Sequence, residues 1–183
     1  MPSFQADGII VKRINFGEKD KILTVITRDS GKIKTLAKGI RRINSRRAGN
    51  VELFNFARLH LAVGRTFNIL TEAKLLETFP SFRSDLKKSA AAFYFSELAD
   101  RFVPEDQENR ELFFILLAAF RKLESTQSIQ MEFIREFEGR LLEHTGFGHD
   151  REFEPEKPYL MLEKVLGRNL PSRLFLDRVW GME

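Results

Sequence analysis

Apolar residues follow two rhythms along this chain, and the change comes near Pro80. Before it they tend to alternate. KIKTLAK (32–38) sets Ile33, Thr35 and Ala37 on one face and Lys32, Lys34, Leu36 and Lys38 on the other, the period-two spacing of a half-buried strand. LFNFARLHLAV (53–63) places Leu59, Leu61 and Val63 opposite Arg58 and His60. ADGIIVKRI (6–14) and KILTVIT (21–27) are rich in β-branched residues, which favour strands, and FNILTEAKLL (67–76) reads as a returning strand. RDSG (28–31) and VGRT (63–66) supply turns. The pattern predicts about five strands joined mostly by short turns.

After Pro80 the period lengthens. Ala90, Tyr94, Leu98 and Phe102 recur every fourth residue and predict one helix face, with Ser81 or Ser84 as its cap. VPEDQEN (103–109) breaks the pattern, and its acidic residues suit the start of the next helix, over 111–124. FFILLAAF (113–120) is apolar almost all round, as a central helix would be. STQS (125–128) offers caps for a third helix striped by Met131, Ile134, Phe137 and Leu141, ending where Gly146 can turn left-handed. DREFEPEKP (150–158) is a polar loop. Two short helices are expected over 160–166 and 172–179, the second capped by Ser172.

Five short strands are too few for two packed sheets, and a small closed barrel removes the exposed edges more economically. An OB-like barrel is favoured over other small barrels, although strand number alone does not separate them. The expected fold is therefore α+β: a five-stranded OB-fold-like β-barrel over residues 1–80, followed by an α-helical bundle over 81–183.

Charge sharpens this division. Residues 1–80 hold 15 Lys and Arg against 7 Asp and Glu, whereas residues 81–183 hold 15 against 19. The excess concentrates between Lys32 and Arg47, where seven cations occur without one acid. Lys32, Lys34 and Lys38 share a strand face, and Arg41, Arg42, Arg46 and Arg47 follow in a loop. Such clusters displace counterions from a phosphate backbone, and arginine adds forked donors to phosphate oxygens. Gly39, Ser45 and Gly49 are expected to leave the loop mobile until it meets its partner. The competing reading is a solvated strand face with a flexible basic loop. Arg58 extends the cationic set along its strand. Phe54, Phe56, Arg58 and His60 alternate and could stack on bases, although core packing explains the phenylalanines as well.

Other chemistry is sparse. The 183 residues include no cysteine, which excludes disulfides, thiolate catalysis and Cys-based zinc sites. His144, His149 and Asp150 make a weak metal motif, and no metal or other cofactor is expected. No phosphate-cradling or nucleophile-elbow motif occurs, and no paired carboxylates mark a two-metal nuclease. A non-enzymatic role follows as the expectation. The first ten residues lack the signature of a signal peptide, and no apolar run approaches a membrane span. A cytoplasmic protein with no membrane partner is expected. In the acidic half, phenylalanines near Arg121, Arg135 and Arg140 outline a surface for an acidic, apolar-tipped peptide.

These residues resemble a known family. GEKDKILTVITRDSGKIKTLAKGIRR followed by INSR is similar to the N-terminal signature of the RecO family of bacterial DNA repair and recombination mediators, through Gly17, Glu18, Asp20, Ile22, Thr27, Gly31, Lys32, Ala37, Lys38, Gly39, Arg41, Arg42, Ser45 and Arg46. TEAKLLETF (71–79), FEGRLLEHTGF (137–147) and NLPSRLFL (169–176) resemble later family segments, with Pro171 where a basic residue is usual. The resemblance implies an OB-fold with a helical C-terminal domain. It further implies binding of single- and double-stranded DNA, annealing of complementary strands, and assistance to RecA loading in the RecF pathway. RecR and the C-terminal tail of single-stranded DNA-binding protein would be partners, and the protein would be nucleoid-associated. Many family members carry a four-cysteine zinc module after the GF segment, and this chain, shorter there, has none. An OB-type RNA-binding or adaptor protein that recruits a partner through its helical domain is the alternative reading.

Overall fold

The structure, a computed structural model, describes residues 2–43, 45, 47–148 and 154–182. Five strands lie in the first half: β1 (Ser3–Phe16), β2 (Asp20–Thr27), β3 (Lys32–Ala37), β4 (Phe56–Ala62) and β5 (Asn68–Glu77). They close into a barrel in the order β1-β2-β3-β5-β4, with only β3 and β5 parallel. This is the OB-fold-like barrel expected from the alternation.

β1 is long because it serves two neighbours. Its first part pairs with β4 from Ser3 to Ile9, and its second with β2 from Gly8 to Phe16. A register shift between Ile10 and Lys12 bends it from one to the other, the usual work of a bulge at a barrel corner. Gly8 stands in the overlap, where an added Cβ would lie 2.5 Å from Val25 Cγ1 and 2.9 Å from the Ile26 carbonyl oxygen. Only glycine lets the strands approach this closely. Inward residues of all five strands, among them Ile10, Leu23, Val25, Ile33, Leu59, Leu61 and Leu70, form the barrel core.

A segment from beyond the strands belongs to the same compact unit, which comprises residues 1–79 and 103–113. It runs along the start of β3. The Lys32 amide donates to the Pro104 carbonyl (3.1 Å), and the Asp106 amide to the Lys32 carbonyl (3.0 Å). β3 meets β5 only at Thr35 and Leu36, so this segment occupies backbone groups at β3's first residue that the ladder leaves unpaired. Gly31 permits the approach: its φ is +63°, and a Cβ there would fall 1.9 Å from the Gln107 carbonyl oxygen. Phe113 ends the segment with its ring on Phe56 (5.7 Å between centroids). Phe56, Ile9 and Ile26 are register partners in an outward row, and Ile9 and Ile26 are nevertheless fully buried.

The second unit comprises residues 80–102 and 114–183. Its helices are α1 (Ser81–Ser84), α2 (Leu86–Phe102), the greater part of α3 (Arg110–Ser125), α4 (Met131–His144), α5 (Pro158–Leu166) and α6 (Pro171–Trp180). α2 packs on α6, and α4 on α5. Phe95 stacks on Phe137 (4.1 Å), and Phe82 meets Phe120 edge-on (5.3 Å). The stripe Ala90, Tyr94 and Leu98 is buried, as its period requires.

Three caps differ from expectation. Asp85, not Ser81 or Ser84, accepts the first-turn amide of α2, from Lys88 (3.0 Å). The Ser81 hydroxyl and amide instead donate to Glu124. Ser172 lies inside α6 rather than before it, and its amide and hydroxyl donate to Glu97 Oε2 at 3.0 and 2.5 Å. No side-chain hydrogen bond caps α4, so 125–128 does not serve that role.

Beneath α2, α4 and α6 lies a buried polar cluster. Glu138 is completely buried, accepting from the Tyr94 hydroxyl (2.7 Å) and from Arg173 Nη1 (2.8 Å). Its Oε2 has no hydrogen-bond partner among the described residues. Burial pushes its carboxyl up to about 7, against the opposing hydrogen bond from Tyr94 and the charge of Arg173.

Candidate nucleic-acid interface

The basic stretch does not act as one patch. Its two ends enter different surroundings.

Lys32 and Lys34, at the start of β3, face the acidic segment. Lys34 Nζ pairs with Glu105, whose carboxyl is held low chiefly by that hydrogen bond. Lys32 sits across an isolated bridge from the same glutamate.

The other end turns away along the β1–β2 connection. Gly39 adopts a positive φ of 64° and redirects the chain after Lys38. Its amide donates to Asp20 Oδ1 (2.7 Å), the Arg41 amide to the Lys19 carbonyl (3.0 Å), and Arg41 Nη1 to the Gly17 carbonyl (3.2 Å). Ile40 and Val51 bury themselves in the barrel core. Arg47 ties the far end: Nη1 donates to the Leu70 carbonyl (2.6 Å) and Nη2 to the Lys38 carbonyl (2.8 Å). The expected free-hanging loop is thus tethered at both ends, by an aliphatic plug and by backbone hydrogen bonds the sequence did not announce.

These tethers hold open a groove of about 790 Å³ lined by Lys19, Lys38, Arg41, Arg42 and Arg47 together with Gly39, Ile43 and Ser45. Arg41 and Arg42 are exposed, and so is Lys38. Lys19, from the β1–β2 turn, joins them although it lies outside the basic stretch. Lys21, nearby on β2, has its ammonium pKa lowered by burial first, then by Arg13, against Glu52, with a smaller push from Arg41. Arg46 lies outside the described residues.

Arg58 stands elsewhere on the barrel, on β4. It forks onto Asp7 of β1 through Nε–Oδ1 (2.7 Å) and Nη2–Oδ2 (2.9 Å). Asp7 is buried, and the Arg58 hydrogen bond holds its carboxyl below the usual range. Phe54 is buried at the foot of β4, and Phe56 packs on Phe113, so core packing accounts for both.

In the helical unit, Arg140 lines a small groove of about 150 Å³ with Ile115, Ala118, Ala119, Lys122, Phe133, Glu136 and Phe137. Arg121 and Arg135 do not line it. Lys122 lies over the Phe133 ring (4.8 Å), and Glu136 bridges Lys122 and Arg140. Of the weak metal motif, His149 and Asp150 fall outside the described residues. Among the described residues no cluster of three or more His, Asp or Glu side chains is placed to hold a metal ion, and no helix is long and apolar enough to cross a membrane.

A five-stranded OB-type barrel with a tethered cationic groove, continued by a helical unit, defines a class of small barrel proteins with a positively charged surface groove. Comparison with known proteins narrows it. The family description Recombination protein O N terminal matches residues 1–79, and Recombination protein O C terminal matches residues 83–153. The chain belongs to the RecO family. Similar relatives include the DNA repair protein RecO of Roseiflexus sp. (strain RS-1), 38% identical over 79% of this chain and 50% of the relative. That of Dehalococcoides mccartyi (strain ATCC BAA-2266 / KCTC 15142 / 195) is 36% identical over 79% and 56%. That of Symbiobacterium thermophilum is 33% identical over 80% and 58%. The chain spans 50–58% of the length of these relatives.

Proposed function

We propose that this chain is a non-catalytic DNA-binding protein of DNA repair and homologous recombination, one that binds single- and double-stranded DNA and helps complementary strands anneal. The observation that carries this reading is the groove of Lys19, Lys38, Arg41 and Arg42, whose cations are held side by side by the tethers of the loop. Phosphates bound there release counterions, and two neutralised strands repel each other less. Annealing assisted in this way requires positioned charge rather than a reacting group. Lys32 and Lys34 would join once their acidic neighbour is displaced. Arg47 supports the site through the backbone carbonyls it holds, and Arg58 lends a cation whose charge Asp7 already matches. The names of the relatives, all DNA repair proteins, favour DNA over RNA as the ligand. RecR, with RecA downstream, belongs to the same proposal, as do the RecF pathway and a cytoplasmic, nucleoid-associated setting.

The groove on the helical unit supports a second role. Phe133 and Phe137 offer an apolar floor, with Lys122 and Arg140 at its rim. That chemistry fits an acidic peptide with an apolar tip, such as the C-terminal tail of single-stranded DNA-binding protein.

The deciding experiment is a salt series of binding to labelled single- and double-stranded DNA, wild type against a variant carrying Lys38→Ala, Arg41→Ala and Arg42→Ala. The log–log slope should flatten by about 2 to 3, roughly one for each lost phosphate contact. An unchanged slope moves the site to another surface. Absence of DNA binding by the wild type at low salt overturns the reading and leaves the adaptor or RNA-binding alternative.

A further inference from the structure

An apolar row crosses the outer face of the barrel, and neither the core nor the cationic groove uses it. Ile14 is the register partner of Ile22, Ile22 of Leu36, and Leu36 of Ile69. Paired residues share a face, and their neighbours Leu23, Thr35 and Leu70 are buried, so this row points outward. Ile14 is 49% exposed, and the other three are half-buried. Beside the row stands Phe16, the last residue of β1, 47% exposed. Its ring meets Phe67, which ends the β4–β5 connection, edge-on at 6.4 Å between centroids. Two strand connections thus bring two phenylalanine rings together at the surface. Phenylalanine has no polar handle to justify that position.

Charge selects the partner. On one flank the register places Lys12 and, across the buried Thr24, Lys34 with its partner Glu105 in a parallel outward row. On the other, Arg41 donates to the carbonyl of Gly17, the residue next to Phe16. Asp20, opposite Phe16, turns its carboxylate to the Gly39 amide. An apolar strip between cationic margins matches a polymer with flat aromatic faces and phosphates along its spine. A single strand of nucleic acid offers both, whereas a duplex keeps its base faces inside the stack. Resting on the reading of the adjacent groove as a phosphate site, the geometry points to a base-stacking platform for single-stranded DNA, formed by Phe16 and Phe67 over a floor of Ile14, Ile22 and Leu36. Bases laid flat on these rings keep their pairing edges turned outward, where a complementary strand can find them.

The test compares the full chain with the double variant Phe16→Ala and Phe67→Ala, on three probes at fixed salt: oligo(dT) of about 16 nucleotides, an abasic phosphodiester of the same length, and a duplex. The expected result is a loss of about 10-fold or more in oligo(dT) affinity, from base–aromatic stacking alone, with abasic and duplex binding and the salt slope unchanged. Both rings are partly exposed, so the variant should fold, and its thermal midpoint checks that. Phe16→Trp supplies a direct readout: its emission should be quenched by oligo(dT) and not by the abasic probe. Unchanged oligo(dT) affinity, or an equal loss on all three probes, overturns the platform while leaving the groove standing. Failure of the wild type to bind any probe removes the groove reading and the platform with it.

Discussion

Glu105 closes on Lys34, so the basic strand carries its own competing anion. The glutamate arrives from the segment after α2, and the backbone pairing of Lys32 with Pro104 and Asp106 sets it there. Phosphate must displace this carboxylate before Lys34 can serve a nucleic acid. Glu105→Gln should therefore strengthen DNA binding at low salt and steepen the salt slope by up to about 1. A salt titration of the variant beside the wild type checks this, and an unchanged slope would take Lys34 out of the interface.

Arg58 and Asp7 form a forked pair between β1 and β4, with the carboxylate buried and the guanidinium partly exposed. Removing the arginine leaves a buried carboxylate whose next cation is Arg28, at 3.8 Å. Arg58→Ala should destabilise the barrel at neutral pH, because it strands the buried Asp7 acceptor. The Asp7 carboxyl sits below the ordinary 3.8 of an aspartate, so the pair's contribution is present above that pH and lost as pH falls through the lower folded value. Chemical denaturation of wild type and variant at neutral and acidic pH should show the two converging in acid.

Glu138 works in the opposite sense. Its folded carboxyl titrates at about 7 against 4.5 as its ordinary value. The protonated form suits the buried site, so the stability it confers is full below 4.5 and declines as pH rises through about 7. The loss across that window is up to ~3 kcal/mol. Glu138→Gln keeps an acceptor for Tyr94 and Arg173 and cannot ionise. Unfolding midpoints of the variant should vary less than those of the wild type between these two pH values.

Gly31→Ala probes the segment that crosses β3. The substitution combines a left-handed backbone with a Cβ 1.9 Å from the Gln107 carbonyl oxygen. The backbone term alone costs about 1–3 kcal/mol, and the overlap cannot be relieved without lifting residues 104–107 away. Limited proteolysis should then cut within 103–109 faster in the variant, at unchanged cleavage elsewhere.

Much of this architecture was legible because its causes are local. The alternation in 32–38 is the register of β3, and the four-residue recurrence of Ala90, Tyr94 and Leu98 is the buried face of α2. The features that stayed hidden depend on partners far along the chain. Ser172 looks like a cap, yet its partner is Glu97, 75 residues away. VPEDQEN reads as an ordinary polar break, and only the positive φ of Gly31 and the open start of β3 give it a seat. At the candidate interface, the sequence put Arg41 and Arg42 in one loop and Lys38 on the strand face with Lys32 and Lys34, whereas β3 ends at Ala37 and Lys38 lines the groove with the two arginines. It could not separate Arg47, whose guanidinium serves backbone carbonyls, or add Lys19 from another turn. Glu138 did carry a signal: it falls four residues after Ile134 and four before Leu142, on the apolar face, where a carboxylate calls for buried partners.

The segment from 103 to 113 also sets an order of events during synthesis. All five strands precede α2 in the chain, so they leave the ribosome first and the barrel can close its ladder early. The Phe56 ring must then wait for Phe113, which follows only after the whole of α2. Until that residue has left the ribosome, Phe56 on the nascent barrel lacks the ring that packs on it in the finished fold.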